Sequence, residues 1–569
     1  MDTIKDRLKI LYPGEYESLY PKVCALIEKW NKASFKNYPE LSEKDIALIT
    51  YGDAVHSGKK GEGLKMLNRI LTGNLKGIIN IVHILPMFPY TSDDGFSVVD
   101  YRAIDENLGA WDDIAALSEN FDLMFDAVLN HCSVSSAYFK GFFAGDPKYK
   151  DFFIACDPAV DYSAVARPRA LPLLTAFETS EGEKHIWTTF SDDQVDLNYQ
   201  NPEVLLEMLD VLLMYAQRGA RFIRLDAIGY LWKKAGTNCF NLPEVHEFVK
   251  LSRSVLNLCS PKCAIITETN VAHKENISYF GNGDDEASLV YQFPLPPLTL
   301  FSFISGNAEK LTRWAEQLEP AGKGTAFFNF LASHDGIGMR PTEGILTAEE
   351  KQNLVDAVQK RGGKINYRSL PDGQQEPYEL NITYMDALSD PGDSDDLRLQ
   401  RFIAAHALLL SLAGLPAIYY NSLFGSRNDY KGLVESGINR RINREKFEYE
   451  DLAAQLADPS NFRYRAFSAL KKLIEIRKTC PQFAPSASQK ILHIDPRVFA
   501  FIRKAEDSPQ SVLVLINVSC HTCTPVLDIK DFAKSICQGI RPGIDLISGE
   551  NTGSQIELPP YGAMWIIDK

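Results

Sequence analysis

Phe222-Ile223-Arg224-Leu225-Asp226-Ala227 decides how this chain is read. Apolar positions bracket one Arg and one Asp, and Gly229-Tyr230 follows. A charge pair inside an otherwise buried-looking strand is costly unless each charge has a partner or a task. Two further carboxylates sit in similar settings: Glu268 ends Ala264-Ile265-Ile266-Thr267, and Asp335 ends Asn329-Phe330-Leu331-Ala332-Ser333-His334. Three strand ends that deliver three carboxylates to one pocket suit the breaking and remaking of a glycosidic bond.

At 569 residues the chain is too long for one simple core, and about two to four structural units are expected. A formal net charge of −14 argues against nucleic acid or an anionic membrane as a partner. Any anionic ligand then needs a local cluster of Arg and Lys. Met1-Asp2-Thr3-Ile4-Lys5 lacks the apolar core of a signal peptide, and no run approaches the roughly 20 apolar residues of a membrane span. The ten cysteines are scattered without framework spacing, which suits reduced thiols in a cytoplasm. Cys520-His521-Thr522-Cys523 has the spacing of half a zinc site, but no second pair matches it, and no metal is expected.

Residues 1–45 read as helix, loop and helix, an N-terminal extension with apolar residues at helical spacing from Tyr16 to Trp30. From Ile46 a rhythm of short apolar strand, loop and amphipathic helix sets in. The strands are 46–50, 77–85, 123–128, 222–226, 264–268, 289–293, 327–332 and 417–420. Helices are read at 63–73, 111–120, 203–217, 244–258, 308–317, 401–412 and 463–479. Residues 132–201 and 336–398 break the rhythm and are too long for simple loops, so both read as insertions. Beyond residue 488 alternating strands replace the helices.

Eight strand-and-helix units imply a (β/α)8 TIM barrel built from 46–131, 202–335 and 399–487, with two inserted subdomains and a C-terminal β domain over 488–569. A doubly wound sheet would place a phosphate-binding glycine turn after its first strand, and Gly61-Glu62-Gly63 matches that turn poorly.

Barrel enzymes work at the carboxyl ends of their strands. Asp126, Asp226, Glu268 and Asp335 fall at or near four such ends. A single Asp there is most often a helix cap or a loop acceptor; four on separate strands, three of them near a His or Arg, favour a common task. Arg224 shares a strand face with Asp226 and should keep it ionised. Glu268 should have a raised pKa if it is to arrive protonated. Asp126-Ala-Val-Leu-Asn130-His131, Arg224-Leu-Asp226, Glu268 and His334-Asp335 resemble the four signature regions of the α-amylase superfamily of retaining glycosidases. The resemblance implies Asp226 as nucleophile, Glu268 as general acid/base and Asp335 as transition-state stabiliser. Arg224, His131 and His334 would contact sugar or hold the carboxylates.

Within that superfamily, Arg224-Leu-Asp-Ala-Ile-Gly-Tyr230, Ala235-Gly-Thr-Asn-Cys239, Arg167-Pro-Arg169, His334-Asp-Gly-Ile-Gly338 and Ile442-Asn-Arg444 resemble the sucrose phosphorylase branch. This implies Asp93 and Arg440 as the grip on the terminal glucose, and Arg169 and Tyr230 as phosphate contacts with Arg167 beside them. Two arginines around a proline make a stiff anion fork. Asn270 stands where that branch has His, and Arg440-Arg441 where it has Arg-Asp. The added positive charge suggests an anionic acceptor. Leu48-Ile-Thr-Tyr51, Trp187-Thr-Thr-Phe-Ser-Asp-Asp193, Ile265-Ile-Thr-Glu-Thr-Asn270 and Phe328-Asn-Phe-Leu-Ala-Ser-His-Asp335 are most similar to the glucosylglycerate phosphorylase family. That family's reaction implies an α-glucoside, phosphate and glycerate as small-molecule substrates, with no cofactor. Arg340, Arg427 and Arg441 are candidate holders of the glycerate carboxylate. Sucrose, sucrose 6'-phosphate and glucosylglycerol remain alternative substrates, and oligomeric state, a homodimer included, stays open.

Overall fold

The eight apolar runs close into one parallel barrel in the computed structural model, which describes residues 2–169, 171–319, 322, 324–369, 374–525, 543–552 and 556–567. Its strands are Ala47–Thr50, Ile81–Ile84, Asp122–Ala127, Ala220–Leu225, Ala264–Thr267, Leu289–Tyr291, Ala326–Phe330 and Leu415–Tyr419. They pair in chain order, and the first closes against the eighth with Ala47 opposite Ala417. Ile, Val, Phe and Leu dominate because such strands are covered on both faces. The register sets Arg224 opposite both Asp126 and Ile266, so one neighbour of the buried guanidinium is an acid and the other is apolar.

Helices Asp2–Leu11 and Tyr16–Asn31 pack on Pro202–Gln217 and Pro243–Cys259, burying Ile4, Leu8, Leu19, Val23 and Ile27. Arg7 reinforces the contact through Glu247 at 2.9 Å. After the third strand come a short pairing of His131–Ser133 with Gln194–Asp196 and a sheet of Ala155–Cys156, Gly182–Trp187 and Leu174–Thr179. After the seventh strand, Ile337–Gly338, Gln375–Asn381 and Lys364–Ser369 form an antiparallel sheet beside helix Ala348–Lys360. The C-terminal sheet runs in the order Ser488–Asp495, Val498–Lys504, Ser511–Asn517, Ala563–Ile567, Ile544–Asp545; residues 526–542 of the expected β region lie outside the described ones. Arg503, fully buried, fastens this sheet to the barrel by donating to the carbonyls of Ser411, Ala484 and Ala487 at 2.7, 2.6 and 3.2 Å.

Ala348–Lys360 and Tyr449–Ala457 are helices that the sequence reading did not place, and two others depart from it more instructively. Leu295–Ser305 is a helix that periodicity did not reveal: nearly every residue is buried, so no polar stripe marks a face, and Pro296-Pro297 resembles a loop. Proline is tolerated in a first helical turn, where the missing N–H has no partner anyway. The helix expected from Arg401 begins at Asp395. Ser394 caps it by accepting from Leu397 N, and Asp395-Asp396 favour the positive end of the helix dipole. Those same polar residues assign this first turn to the insertion 336–398 when read from sequence.

Candidate active site

Arg224 organises the centre. Its Nη1 donates to Asp226 Oδ1 at 2.9 Å and makes a very close contact with Asp126 Oδ1, while Nη2 stands 3.8 Å from Glu268 Oε2. Asp126 Oδ2 meets His83 Nε2 at 2.7 Å. The chain turns sharply after Asp226: Ala227 is left-handed, with φ 47°, an unfavourable conformation for a residue with a Cβ. That turn aims Ala227 N at Glu268 Oε2, 3.0 Å away. The fourth and fifth strand ends are thereby tied together through backbone as well as side chain.

Burial sets the electrostatics. It raises Asp226 well above the usual carboxylate range, aided by Glu268 and Asp126 and opposed by Arg224. Arg224, expected to keep Asp226 ionised, does pull in that direction, but burial outweighs it and the guanidinium is shared with Asp126. Burial, with Asp335 and Asp126 nearby, also raises Glu268. Two buried acids facing one guanidinium titrate as a coupled pair. The closer approach of Arg224 to Asp226, 2.9 against 3.8 Å, favours the charged form of Asp226 over that of Glu268. Asp335 goes the other way. Burial raises it, but Arg440 at 2.6 Å, His334 and Arg444 outweigh burial and hold it below the carboxylate range. Burial pushes His131 down to about 4 and His334 to about 3, so both imidazoles are neutral. His131 Nε2 lies 2.9 Å from Phe96 O.

An inner cavity of about 110 Å3 is lined by Asp226, Glu268, Asp335, Asp93, Arg440, His131, His334 and Asn270. Past Glu268 and Asn270 it adjoins an outer cavity of about 800 Å3, lined by Arg167, Arg169, Arg340, Arg368, Tyr230 and Tyr378. A volume of roughly 300–1,000 Å3 is usual for a small-molecule site. Arg169 lies in both linings, and its Nη2 donates to Asp93 Oδ2 at 2.7 Å. Asp93 and Arg440, expected to grip the glucose, both line the inner cavity, where Asp93 holds Arg169 and Arg440 holds Asp335 and Glu379. Among the described residues Arg340 has no carboxylate in ion-pair range, and its guanidinium lies 5.5 Å from the Phe240 ring centre.

Two arginines are elsewhere. Arg427 is paired with Asp386 and lines a separate surface cavity with Asp429, Glu445 and Arg463, so it is not a candidate holder of an acceptor. Arg441 Nη1 sits 3.3 Å from Asp94 Oδ1, and Arg444 grips the same carboxylate, so Arg441 belongs to the support of the turn at 93–95. Asp93 and Asp94 are both left-handed, with φ 55° and 49°; those two arginines offset the strain of a turn that presents Asp93.

His83, Asp94, Phe190, Arg368, Tyr378 and Glu379 escaped the sequence reading. Tyr378 and Glu379 lie on a strand hidden in the charged, Gly- and Pro-rich insertion, whereas Asp94, adjoining a residue already singled out, was the accessible signal. Among the described residues no group of three or more His, Cys, Asp or Glu is placed to hold a metal ion.

Residues 74–339 match the family model described as alpha amylase, catalytic domain. The chain is 49% identical over 531 residues to the glucosylglycerate phosphorylase of Allomeiothermus silvanus, covering 93% of this chain and 92% of that protein. It is 44% identical to the glucosylglycerate phosphorylase of Escherichia coli, covering 99% of each. Among solved structures, sucrose 6F-phosphate phosphorylase from Thermoanaerobacter thermosaccharolyticum superposes with a TM-score of 0.73 at 25% identity, over 90% of this chain and 98% of that one.

Proposed function

The chain belongs to the glucosylglycerate phosphorylase family within the α-amylase superfamily, and on that premise we propose that it catalyses the reversible phosphorolysis of 2-O-α-D-glucosyl-D-glycerate to α-D-glucose 1-phosphate and D-glycerate. One observation carries the reading beyond family membership. The three-carboxylate cavity shares Arg169, Glu268 and Asn270 with an adjoining cavity rich in arginine. Hydrolysis has no need of the second; a reaction that exchanges one anion for another at the same carbon does.

The proposed course is a retaining double displacement. Asp226 attacks the anomeric carbon while Glu268 protonates the departing O2 of glycerate, giving a β-glucosyl enzyme. Phosphate then attacks from the face that glycerate left, with Glu268 now unprotonated and accepting its proton. Asp335 supports positive charge on the ring as the bonds exchange, and Asp93 and Arg440 grip the glucose hydroxyls. A phosphate dianion approaching the glutamate is repelled unless cations stand by, and Arg169, Arg167 and Tyr230 would serve it. Arg340, unpaired with any described acid, suits the glycerate carboxylate. Phosphate is a substrate here, and the scheme calls for no cofactor.

Among the described residues no helix is long and apolar enough to cross a membrane. Nine described cysteines are free thiols, which suits the reducing cytoplasm in which we place the enzyme.

The test supplies α-D-glucose 1-phosphate with glycerate, fructose, fructose 6-phosphate or glycerol in parallel and follows phosphate release. Glycerate should give the highest kcat/KM. A better rate with any of the others overturns the substrate assignment, and phosphate-independent turnover of the glucoside overturns the phosphorylase reading.

A further inference from the structure

Tyr378 and Glu379 are sequence neighbours on one strand, Gln375–Asn381, yet both line the inner cavity. Neighbours on a regular strand point to opposite faces. The pairing register explains the exception. Asn366 pairs with Glu379, but the next residue, Tyr367, pairs with Pro377, which leaves Tyr378 as an extra residue without a partner. A bulge of this kind bends the strand and re-aims its side chains. It turns the insertion's sheet into part of the cavity wall.

Glu379, 3% exposed, is fully engaged there. Its Oε1 accepts from Gly336 N at 3.0 Å and Arg440 Nη2 at 2.9 Å. Oε2 accepts from Asn366 Nδ2 at 2.9 Å and Arg440 Nε at 3.1 Å. Asn366 is held in turn by Asn439 Nδ2 at 2.7 Å. Gly336 is required by this closeness: a Cβ there would lie 2.5 Å from Glu379 Cγ and 2.7 Å from Leu380 O. With two of its nitrogens locked on Glu379, Arg440 presents its remaining one, Nη1, to Asp335 Oδ1 at 2.6 Å.

We infer that Glu379 is a positioning residue for the reaction: by gripping one edge of the Arg440 guanidinium, it fixes the plane in which the other edge meets Asp335 and the donor sugar. The inference rests on the proposed roles of Arg440 and Asp335. A two-point grip on a planar guanidinium defines its orientation, which a single contact does not. Arg440 is drawn to three acids, Asp335, Glu379 and Asp93. Without the Glu379 grip it is free to turn toward the other two, occupying the oxygens that the sugar needs.

Kinetics of Glu379→Gln, Arg440→Lys and the double variant, in the direction consuming α-D-glucose 1-phosphate, test this. Glu379→Gln should raise the KM for α-D-glucose 1-phosphate and lower kcat, each about tenfold, with the glycerate KM within about twofold of wild type. In an Arg440→Lys background the same change should add less than about twofold, because both act through one guanidinium. Asn366→Ala, which removes the brace on Oε2 together with the Asn439 bond behind it, should raise the donor KM about threefold and serves if Glu379→Gln does not fold. Unchanged donor KM in Glu379→Gln and Asn366→Ala, or losses that multiply in the double variant, overturn the inference while leaving the phosphorylase assignment intact. A wild-type Arg440→Lys enzyme overturns instead the role of Arg440 on which it rests.

Discussion

Arg224 Nη1 lies 2.9 Å from Asp226 Oδ1, and the same guanidinium reaches Asp126 and stands 3.8 Å from Glu268. One buried cation therefore faces three acids: Asp126, in closest contact, is held below its usual range, while burial raises Asp226 and Glu268. Behind it, His83 holds Asp126 at 2.7 Å, so the orientation of Asp226 is set two residues deep into the barrel.

Replacing Asp226 by Asn removes the attacking oxygen and keeps the shape. Turnover of α-D-glucose 1-phosphate with glycerate should fall by about 10^4-fold or more, with a circular-dichroism melt that remains cooperative. An active Asp226→Asn enzyme would remove the proposed nucleophile.

Burial raises Glu268, which favours the protonated form that the proposed acid needs. The kcat/KM for glucosylglycerate should fall on the alkaline side as that proton is lost. α-Glucosyl fluoride needs no proton to leave. A Glu268→Gln enzyme should therefore still be glucosylated by it and accumulate the covalent adduct, visible by intact-protein mass spectrometry. Loss of adduct formation with the fluoride would exclude Glu268 as the acid.

Arg340 to Gln should raise the glycerate KM about tenfold, the worth of one charge-assisted hydrogen bond. The KM for glycerol, used as a weak acceptor, should barely change. Equal effects on the two acceptors would mean that Arg340 does not read the carboxylate.

His131 is neutral in the fold, pushed by burial from 6.5 to about 4. The unfolded chain takes up that proton near pH 6.5 and the folded one only near pH 4, so the contribution is complete above pH 6.5 and is lost as pH falls toward 4. By pH 5 the loss is about 2 kcal/mol. Urea unfolding at pH 7.5 and pH 5 should show His131→Asn to be less acid-sensitive than wild type by about that amount. An unaltered pH dependence would mean that His131 is charged in the fold.

Arg503 to Ala removes a donor from four described carbonyls, those of Ser411, Ala484, Ala487 and Ser488, in a buried seam between the C-terminal sheet and the barrel, and of these Ala484 O still accepts from Ala487 N. The cost should be about 3 kcal/mol or more, read from the urea midpoint. A loss below about 1 kcal/mol would mean that the carbonyls find other partners.

Much of this was legible in order along the chain. The eight strand runs and their intervals announced the barrel, and Asp126, Asp226, Glu268 and Asp335 announced themselves by falling at or near the ends of apolar runs. Leu295–Ser305 was illegible because a helix buried all round has no polar face to show a period. Glu379 was illegible because its strand lies in charged sequence and its aim depends on a bulge.

What the sequence determined by itself is the barrel and the acids at its rim, because strand period, run length and the position of a carboxylate after a strand are short-range consequences of backbone geometry. Only the tertiary structure decided which arginine serves which acid: Arg169 with Asp93, Arg440 with Asp335 and Glu379, Arg441 with Asp94, Arg427 away with Asp386. Ion pairing follows distance and burial, and those are settled by strand register and loop closure between residues far apart along the chain.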